Sequence, residues 1–456
     1  MGILTAAHWA YLIITVLLFV ALIRKKEIVI LSIAGILLVT LIYSQNPVFA
    51  VQALCQSVLI GFKELLPVFI GISLILAMTN AIKASGAINV VSKPMSNLNV
   101  KPNVAFMGIG VGMFVISLLI WPSPAVALMG AFLIPLASKL GLSTLYIAVA
   151  INIFGHGIAL SGDFFIQGVP SIVAESAGLS SKDIMPYLIP LWAVMSIVTV
   201  IVAFIMLNRD RKKGLVVPNE NDEAMPDNTN KKKAVVSIVI TVLLFAADIA
   251  AMILTNTTGD AATYLVSGTA LIATCIICII CFNRKESSDK AMEFVTKGFA
   301  STMKIFAPAL VIIAFFSLGN ESMAQSILGE NAPGFIGDFV SVIVSSVKIP
   351  DGLLAFIQTL VGSIYSIDGS GFAGLTVIGE ITHGYGVTLE QLKLLISLGQ
   401  IVIIWVGGGT LIPWSIVPVA SVCKVSPMEL AKKNLIPVLS GLIVTTVFAA
   451  IWLFIL

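Results

Sequence analysis

The segment IVIIWVGGGTLIPWS, residues 401–415, decides the fold of this chain. An apolar helical run leads directly into the glycine triplet 407–409, and Thr410 and Pro413 follow. Each glycine destabilises a helix by about 1 kcal/mol relative to alanine. We therefore predict that a helix unwinds here and lets a ligand approach the backbone. Close packing against another helix is the alternative.

The composition around this segment is that of a membrane protein. Of the 456 residues, 58% are hydrophobic and 11% are charged, whereas soluble domains carry roughly 25% charged residues. The 26 Lys and Arg nearly balance the 23 Asp and Glu, so the charge gives no indication of a nucleic-acid partner. The five cysteines are too few for a disulfide framework, and three of them (Cys275, Cys278 and Cys281) share one face of an apolar helix. The sequence therefore predicts an all-α polytopic protein in a lipid bilayer.

Apolar runs long enough to cross a hydrocarbon core of about 30 Å begin near residues 8, 28, 64, 142, 184, 235, 260, 303, 388 and 434. The first run precedes its basic cluster at Arg24, so we predict a retained span rather than a cleaved signal. Lys and Arg accumulate on the cytoplasmic side of membrane proteins. Most of those in this chain lie in alternate loops and in a polar stretch at 208–233. This pattern predicts a multi-pass protein of the cytoplasmic membrane with both termini outside the cytoplasm.

The two halves of the chain resemble each other weakly at an offset of about 246 residues. We predict two inverted-topology repeats, each with about five spanning helices, a re-entrant hairpin and a broken helix. The first repeat is residues 1–207, with three spans, a hairpin at about 104–138, a broken helix at about 142–178 and a last span at 184–207. A cytoplasmic connector at 208–233 precedes the second repeat at 234–456, with a hairpin at about 350–383, a broken helix at about 388–424 and a last span at 434–455.

Three further interruptions accompany the glycine triplet. The first, WPSP at 121–124, is typical of a re-entrant hairpin, with a proline kink in one tilted span as the alternative. The second, SGD at 161–163, ends in a carboxylate, which at membrane depth marks an ion or proton pathway unless it lies at the membrane edge. The third, SIDGSG at 366–371, is a turn whose Asp368 either coordinates a cation or caps a helix. Because lipid cannot satisfy free N–H and C=O groups, the four interruptions predict a polar cavity between the repeats.

The predicted site residues lie in these interruptions. A carboxylate beside unwound carbonyls suits Na⁺, and a lone buried carboxylate suits H⁺. The residues predicted to contact the solute are Ser123, Pro124, Asp368, Gly369, Ser370, Gly408, Gly409 and Thr410. The residues predicted to serve the coupling cation are Asn152, His156, Ser161, Gly162 and Asp163, with Asp163 as the ligand for Na⁺. A structural role as a buried, hydrogen-bonded histidine explains His156 equally well.

Two C-terminal segments resemble a known family. The segment 407–415 and the segment VSPMELAKKNLIP at 425–437 look like the broken helix, cytoplasmic turn and final span of C4-dicarboxylate carriers. The whole architecture is similar to the ion transporter superfamily, which also includes divalent-anion/sodium symporters, gluconate permeases and related Na⁺/H⁺ antiporters. The resemblance implies a mobile domain of hairpins and broken helices, a scaffold that forms a homodimer, and an elevator movement.

We predict a secondary active transporter that carries a small polar organic solute together with Na⁺ or H⁺. The family and the helix dipoles favour a carboxylate, whereas two buried carboxylates favour a zwitterionic or cationic solute. A Na⁺/H⁺ antiporter without an organic substrate and an amino-acid symporter remain the alternatives. The sequence has no H-E-x-x-H helix and no G-x-x-x-x-G-K-[ST] loop, so we predict neither an enzyme nor an ATP-driven pump, and no cofactor other than a bound Na⁺.

Overall fold

The computed structural model describes residues 4–24, 28–87, 90, 101–120, 122–123, 125–126, 129, 142–215, 230–255, 257, 259–283, 285–346, 350–367, 369, 371 and 374–456. Every regular element within these residues is helical, which confirms the predicted all-α class. In chain order the helices are α1 (Ala6–Ile23), α2 (Val29–Ser44), α3 (Pro47–Ala84), α4 (Pro102–Ile120), α5 (Thr144–Gly162), α6 (Gly168–Ser176), α7 (Ser181–Lys212), α8 (Lys231–Thr255), α9 (Gly259–Cys281), α10 (Ser287–Phe316), α11 (Glu321–Leu328), α12 (Phe335–Ser346), α13 (Asp351–Tyr365), α14 (Ile378–His383), α15 (Leu389–Val406), α16 (Val417–Cys423) and α17 (Pro427–Leu453).

Local sequence signals fix where several of these helices begin. The side chain of Asn46 accepts hydrogen bonds from the backbone N–H groups of Val48 and Phe49, and a proline opens α3. Helix α15 begins with a capping box in which Thr388 and Gln391 satisfy each other's backbone N–H groups. These caps satisfy backbone groups that a helix leaves free in its first turn.

The chain is a multi-pass membrane protein. Within the described residues, seven helices are long and apolar enough to cross a membrane, or eight if a bent pair counts as one span. Their outward faces carry exposed large apolar side chains, as at Val239, Leu243 and Leu254 of α8. In a bilayer these side chains contact lipid instead of water. Their exposure on the protein surface therefore carries no hydrophobic free-energy cost.

The bent pair is a feature that the sequence analysis did not predict. Helix α10 and its short 3₁₀ continuation at Ser317–Gly319 meet α11 at an angle of 101°. The side chain of Asn320 accepts a hydrogen bond from the backbone N–H of Met323 and so starts a new helix at the bend. The run that begins near 303 is therefore divided in two.

The helices form two packed groups. In the first group, α3 lies against α2, α9 and α10, and α1 packs on α2. In the second group, α7 packs on α15 and α17, α13 packs on α15 and α17, and α4 packs on α5. The groups touch where α16 meets α3 and α10 and where α4 meets α8. All four segments that were predicted to interrupt helices belong to the second group or adjoin it.

Helices extend into both ends of the polar connector predicted at 208–233. Helix α7 continues to Lys212 and α8 begins at Lys231, and residues 216–229 lie outside the described part of the chain. The carboxylate of Asp210 accepts hydrogen bonds from the Tyr146 hydroxyl, at 2.7 Å, and from the Lys433 ammonium. These bonds tie the polar end of α7 to α5 and α17, so residues that looked like linker remain helical.

Glycines let α3 and α10 approach closely. A Cβ atom on Gly298 would lie 2.2 Å from the carbonyl oxygen of Ser73 and 3.1 Å from the amide nitrogen of Ala77. Small residues permit such backbone contact between helices in membranes. The crossing therefore depends on the absence of a side chain at this position.

Gly298→Ala is expected to destabilise the protein by about 1–3 kcal/mol, because the added methyl group meets backbone that cannot rotate away. Gly268 of α9 is the matched control, because a Cβ there would meet no atom within 4 Å. Gly268→Ala should stabilise its helix by about 0.5–1 kcal/mol. Thermal unfolding of both purified variants measures the difference. Equal melting temperatures would show that the crossing relaxes to accept the methyl group.

Candidate functional site

Helix α5 has an unusual interior. Residues Asn152–Ala159 form a π-helix, and all eight are buried. A π-helical turn disturbs the regular hydrogen-bond ladder and occurs often at functional sites. Helix α5 then ends at Gly162, and Asp163 adopts a left-handed conformation with φ at 39°.

The carboxylate of Asp163 points to the following helix. Asp163 is 2% exposed, and its Oδ2 accepts a hydrogen bond from the backbone N–H of Val169 at 2.9 Å. The carboxylate therefore satisfies the N-terminal turn of α6, where negative charge is favourable. Capping by Asp163 was not predicted from the sequence.

Helix α15 ends just before the glycine triplet. The chain leaves the helix after Val406, and Gly409 has a φ of 114°, which favours glycine. The hydroxyl of Thr410 donates to the carbonyl oxygen of Trp405, so the unwound segment folds back on the helix end. Helix α16 resumes only at Val417.

The two breaks meet, and each receives an amide side chain from the other helix. Asn152 of α5 donates from Nδ2 to the carbonyl oxygen of Gly409 at 2.5 Å. Gln400 of α15 donates from Nε2 to the carbonyl oxygen of Ser161 at 2.8 Å. The indole N–H of Trp405 donates to the Ser161 hydroxyl at 3.0 Å. Each helix break leaves a backbone carbonyl without a partner in its own helix, and an amide side chain from the other broken helix donates a hydrogen bond to it.

Asn434 of α17 completes this junction. Its Nδ2 donates to Asn152 Oδ1 at 2.7 Å and to the carbonyl oxygen of Thr410 at 2.9 Å. The ring of His156 lies against Gly409, where a Cβ would come 2.8 Å from His156 Cδ2. Side chains from α5, α15 and α17 therefore enclose one buried polar centre, which we call the junction: Asn152, His156, Ser161, Gln400, Trp405, Gly409, Thr410 and Asn434.

The third predicted interruption packs on the fourth. A Cβ on Gly371 would lie 2.4 Å from Gly408 Cα, and a Cβ on Gly369 would lie 2.4 Å from Cδ1 of Trp414. Both glycines have a positive φ, 68° for Gly371 and 79° for Gly369. Gly371 therefore touches the glycine triplet backbone to backbone.

The structure brings most predicted site residues together but not all of them. Asn152, His156, Ser161, Gly409 and Thr410 lie at the junction. Gly408 adjoins it and packs against Gly371, and Gly162 packs against Phe164 and Trp192 beside it. In the first interruption Pro122 is buried and Ser123 is half-buried. Three predicted solute contacts, Pro124, Asp368 and Ser370, lie outside the described residues.

Four buried polar atoms around the junction have no hydrogen-bond partner among the described residues. They are Nδ1 of His156, Oε1 of Gln400, Oδ1 of Asn434 and Oγ of Ser117, which lies beside Gly155. A buried polar group without a partner costs roughly 1–3 kcal/mol. Such groups are rare, and together they indicate a site that accommodates a polar ligand or water.

Gln400, Trp405 and Asn434 are absent from the predicted site. All three lie in or beside apolar runs and carry no charge, so a search for ionisable residues passes over them. The amides of Gln400 and Asn434 could have been recognised in the sequence, because burying a polar side chain in a spanning helix costs free energy and often marks a functional site. Within the described residues, no three His, Cys, Asp or Glu side chains come together as a metal site, and the five cysteines are free thiols.

A separate cavity of about 470 Å³ lies between α11, α12, α13 and α14. The carboxylates of Glu321, Asp338 and Glu380 contribute to its wall. His8 of α1 contacts Asp338 through Nε2 at 2.9 Å and is itself buried. This pair fastens the N-terminal helix to the rim of the cavity.

Comparison with known proteins agrees with the architecture. No family model matches the chain. The chain is 38% identical over 459 residues to the uncharacterized membrane protein YhfA of Bacillus subtilis (strain 168), and the alignment covers 98% of this chain and 97% of YhfA. Similarity over nearly the full length of both proteins includes the junction and all the helices around it. The chain therefore belongs to the membrane-protein family that contains YhfA.

Proposed function

We propose that this protein is a secondary active transporter of the cytoplasmic membrane that moves a small polar organic solute together with Na⁺ or H⁺. The observation that carries the proposal is the junction, where two interrupted helices from opposite halves of the chain meet around buried polar atoms that have no partner in the described part of the chain. Non-helical backbone within a membrane is tolerated where it is buried or lines a wet cavity. Transporters place their binding sites at such interruptions.

The packing supports the inverted-repeat proposal. Helices α3 and α10, each the third span of its half, pack on each other, as do α7 and α17, each the last span. In the first half α4 packs on α5, and in the second half α13 packs on α15. Each broken helix thus has an equivalent partner, and Asn152 and Gln400 make equivalent bonds to the opposite break.

In this proposal the second group of helices is the mobile part and the first group is the scaffold. The scaffold would form the homodimer interface, and an elevator movement would carry the junction across the bilayer. Both termini would lie outside the cytoplasm. The solute would contact the glycine triplet and Thr410 together with the residues predicted at 123–124 and 368–370, and the cation would bind near Ser161 and Asp163.

Flux measurements on the full-length protein in liposomes test this function. Movement of malate, aspartate, alanine or lactate, and of Na⁺ and H⁺, is measured with and without gradients of Na⁺ or H⁺. The proposal expects flux that requires both an organic solute and one cation gradient. Exchange of Na⁺ for H⁺ without any organic solute would instead show an antiporter. Solute flux that is indifferent to both cations would show a passive channel, and the absence of any flux would remove the transport proposal.

Asp163→Asn is expected to abolish the dependence of flux on the cation gradient. Asparagine still offers an oxygen to the Val169 N–H, so the cap of α6 should persist and stability should change by about 1 kcal/mol or less. The charge, however, is lost. Asp183→Asn is the matched control, because Asp183 caps α7 through the Ser180 N–H at 2.9 Å but is exposed. If Asp163→Asn keeps full cation coupling, the carboxylate only caps α6.

A further inference from the structure

The amide side chains of the junction are oriented by the backbone. Gln400 uses its Nε2 on the Ser161 carbonyl, and Asn434 uses its Nδ2 on the Thr410 carbonyl and on Asn152 Oδ1. Rotating either amide by 180° would place its oxygen against a carbonyl oxygen. The nitrogen positions are therefore fixed by their partners.

This orientation engages one N–H of Gln400 and both N–H groups of Asn434 and leaves the oxygen of each amide facing away from these partners. The oxygens Oε1 of Gln400 and Oδ1 of Asn434 are buried and have no partner among the described residues. The indole N–H groups of Trp405 and Trp192 already donate, to the Ser161 hydroxyl and to the Ile158 carbonyl. The remaining unpaired groups, His156 Nδ1 and Ser117 Oγ, can each donate or accept.

The same region offers little to an anion. Residues 142–178 and 394–423, which contain both helix breaks, include no Lys or Arg. The N-terminus of α6 would be a natural place for an anion, but the Asp163 carboxylate already accepts a hydrogen bond there. A dicarboxylate would therefore bring two negative charges to oxygen acceptors and to a fixed carboxylate.

We infer that the solute is a small amine or amino acid whose N–H groups donate to the amide oxygens of Gln400 and Asn434. This inference rests on the proposed transport function and narrows its substrate class. An ammonium group carries donors and no acceptor, so it matches acceptors that lack donors. Hydrogen bonds to a charged donor are also stronger than those between neutral groups. The site thereby selects the amine over a hydroxyl or carboxylate of similar size.

The test uses pairs of compounds that differ only in this group. Aspartate is compared with malate, and alanine with lactate, each pair exchanging an ammonium for a hydroxyl. Putrescine supplies amines without a carboxylate. Thermal unfolding of the purified full-length protein is measured with each compound, with and without Na⁺. The inference expects stabilisation by at least one amine-bearing compound and none by its hydroxyl partner.

Gln400→Met removes the acceptor, together with the Nε2 donor to the Ser161 carbonyl, and keeps the length of the side chain. It should weaken the apparent affinity for the amine by about tenfold or more, the effect of losing one charge-assisted hydrogen bond. Gln358→Met is the matched control. Gln358 is fully buried too, but all its polar atoms are paired, with Thr382, with the Leu395 carbonyl and with the Tyr385 hydroxyl. The Gln358→Met variant should have a lower melting temperature than the Gln400→Met variant and an unchanged preference among the ligands.

The outcomes separate this inference from the transport proposal. Stabilisation by malate or lactate that equals or exceeds that by the amines would overturn the substrate class while coupled flux could persist. Stabilisation by Na⁺ alone that is lost in Gln400→Met would assign the oxygens to the cation and also overturn it. If no amine stabilises the protein, the inference is wrong, and the liposome flux decides separately whether the protein transports a solute.

Discussion

Gly371→Ala is expected to destabilise the protein by about 2–5 kcal/mol or more and to abolish the proposed transport. The new Cβ would lie 2.4 Å from Gly408 Cα and 2.7 Å from Gly408 N, so it would strike backbone rather than a movable side chain. The positive φ of 68° adds strain of about 1–2 kcal/mol for any L-residue with a side chain. The steric clash adds about 1–3 kcal/mol or more.

Gly386 separates these two contributions. Its φ is 70°, nearly that of Gly371, but a Cβ there would meet nothing within 4 Å. Gly386→Ala should therefore show the backbone strain alone and keep transport. Melting temperatures and liposome flux of the two variants are compared with the parent protein. If both variants lose the same stability, the contact between Gly371 and Gly408 is loose enough to admit a methyl group.

Asn152→Leu is expected to have an effect of similar size. Leucine is similar in volume, but it leaves the Gly409 carbonyl and one Nδ2 hydrogen of Asn434 without partners in the protein interior. Each buried group left unpaired costs roughly 1–3 kcal/mol, so we expect a destabilisation of about 2–6 kcal/mol. Because Asn152 joins α5 to both the glycine triplet and α17, transport should be lost as well.

Asn208→Leu is the control for this change. Asn208 also makes two side-chain hydrogen bonds, to the Phe204 carbonyl at 3.0 Å and with Asn103 at 2.8 Å, but it is half-exposed near the end of α7. Water can replace its lost partners, so the destabilisation should be smaller and transport should persist. Equal effects of the two substitutions would indicate that water reaches the junction freely in the folded protein.

Hydropathy and helix breakers predicted the class of this protein and the positions where α5 and α15 end. Lipid gives a strong constraint: a long apolar run must be helical, and glycine or proline within it must be accommodated by the protein. Thus α15 ends directly before the triplet 407–409, and α5 ends at Gly162. The bend at Asn320 was missed because its break consists of one polar cap in an otherwise apolar run.

The partners at the junction could not be predicted in the same way. Which amide reaches which carbonyl depends on how α5, α15 and α17 cross, and pairs such as Asn152 and Asn434 are far apart in the sequence. Charge alone directed attention to Asp163, whose visible contact is a helix cap. The uncharged Gln400 and Asn434 hold the unpaired oxygens, and these carry the inference about the solute.

The reciprocal bonds of Asn152 and Gln400 have a consequence for biosynthesis. Each half of the chain has a backbone carbonyl at its helix break that accepts a hydrogen bond from a side chain of the other half. The N-terminal half is synthesised first. The Ser161 carbonyl at its helix break therefore lacks the Gln400 side chain until the C-terminal helices have been inserted. A chain truncated before Gln400 would retain many of its apolar helices. The polar groups at the break of α5, which are buried in the complete protein, would then be accessible to quality-control proteases.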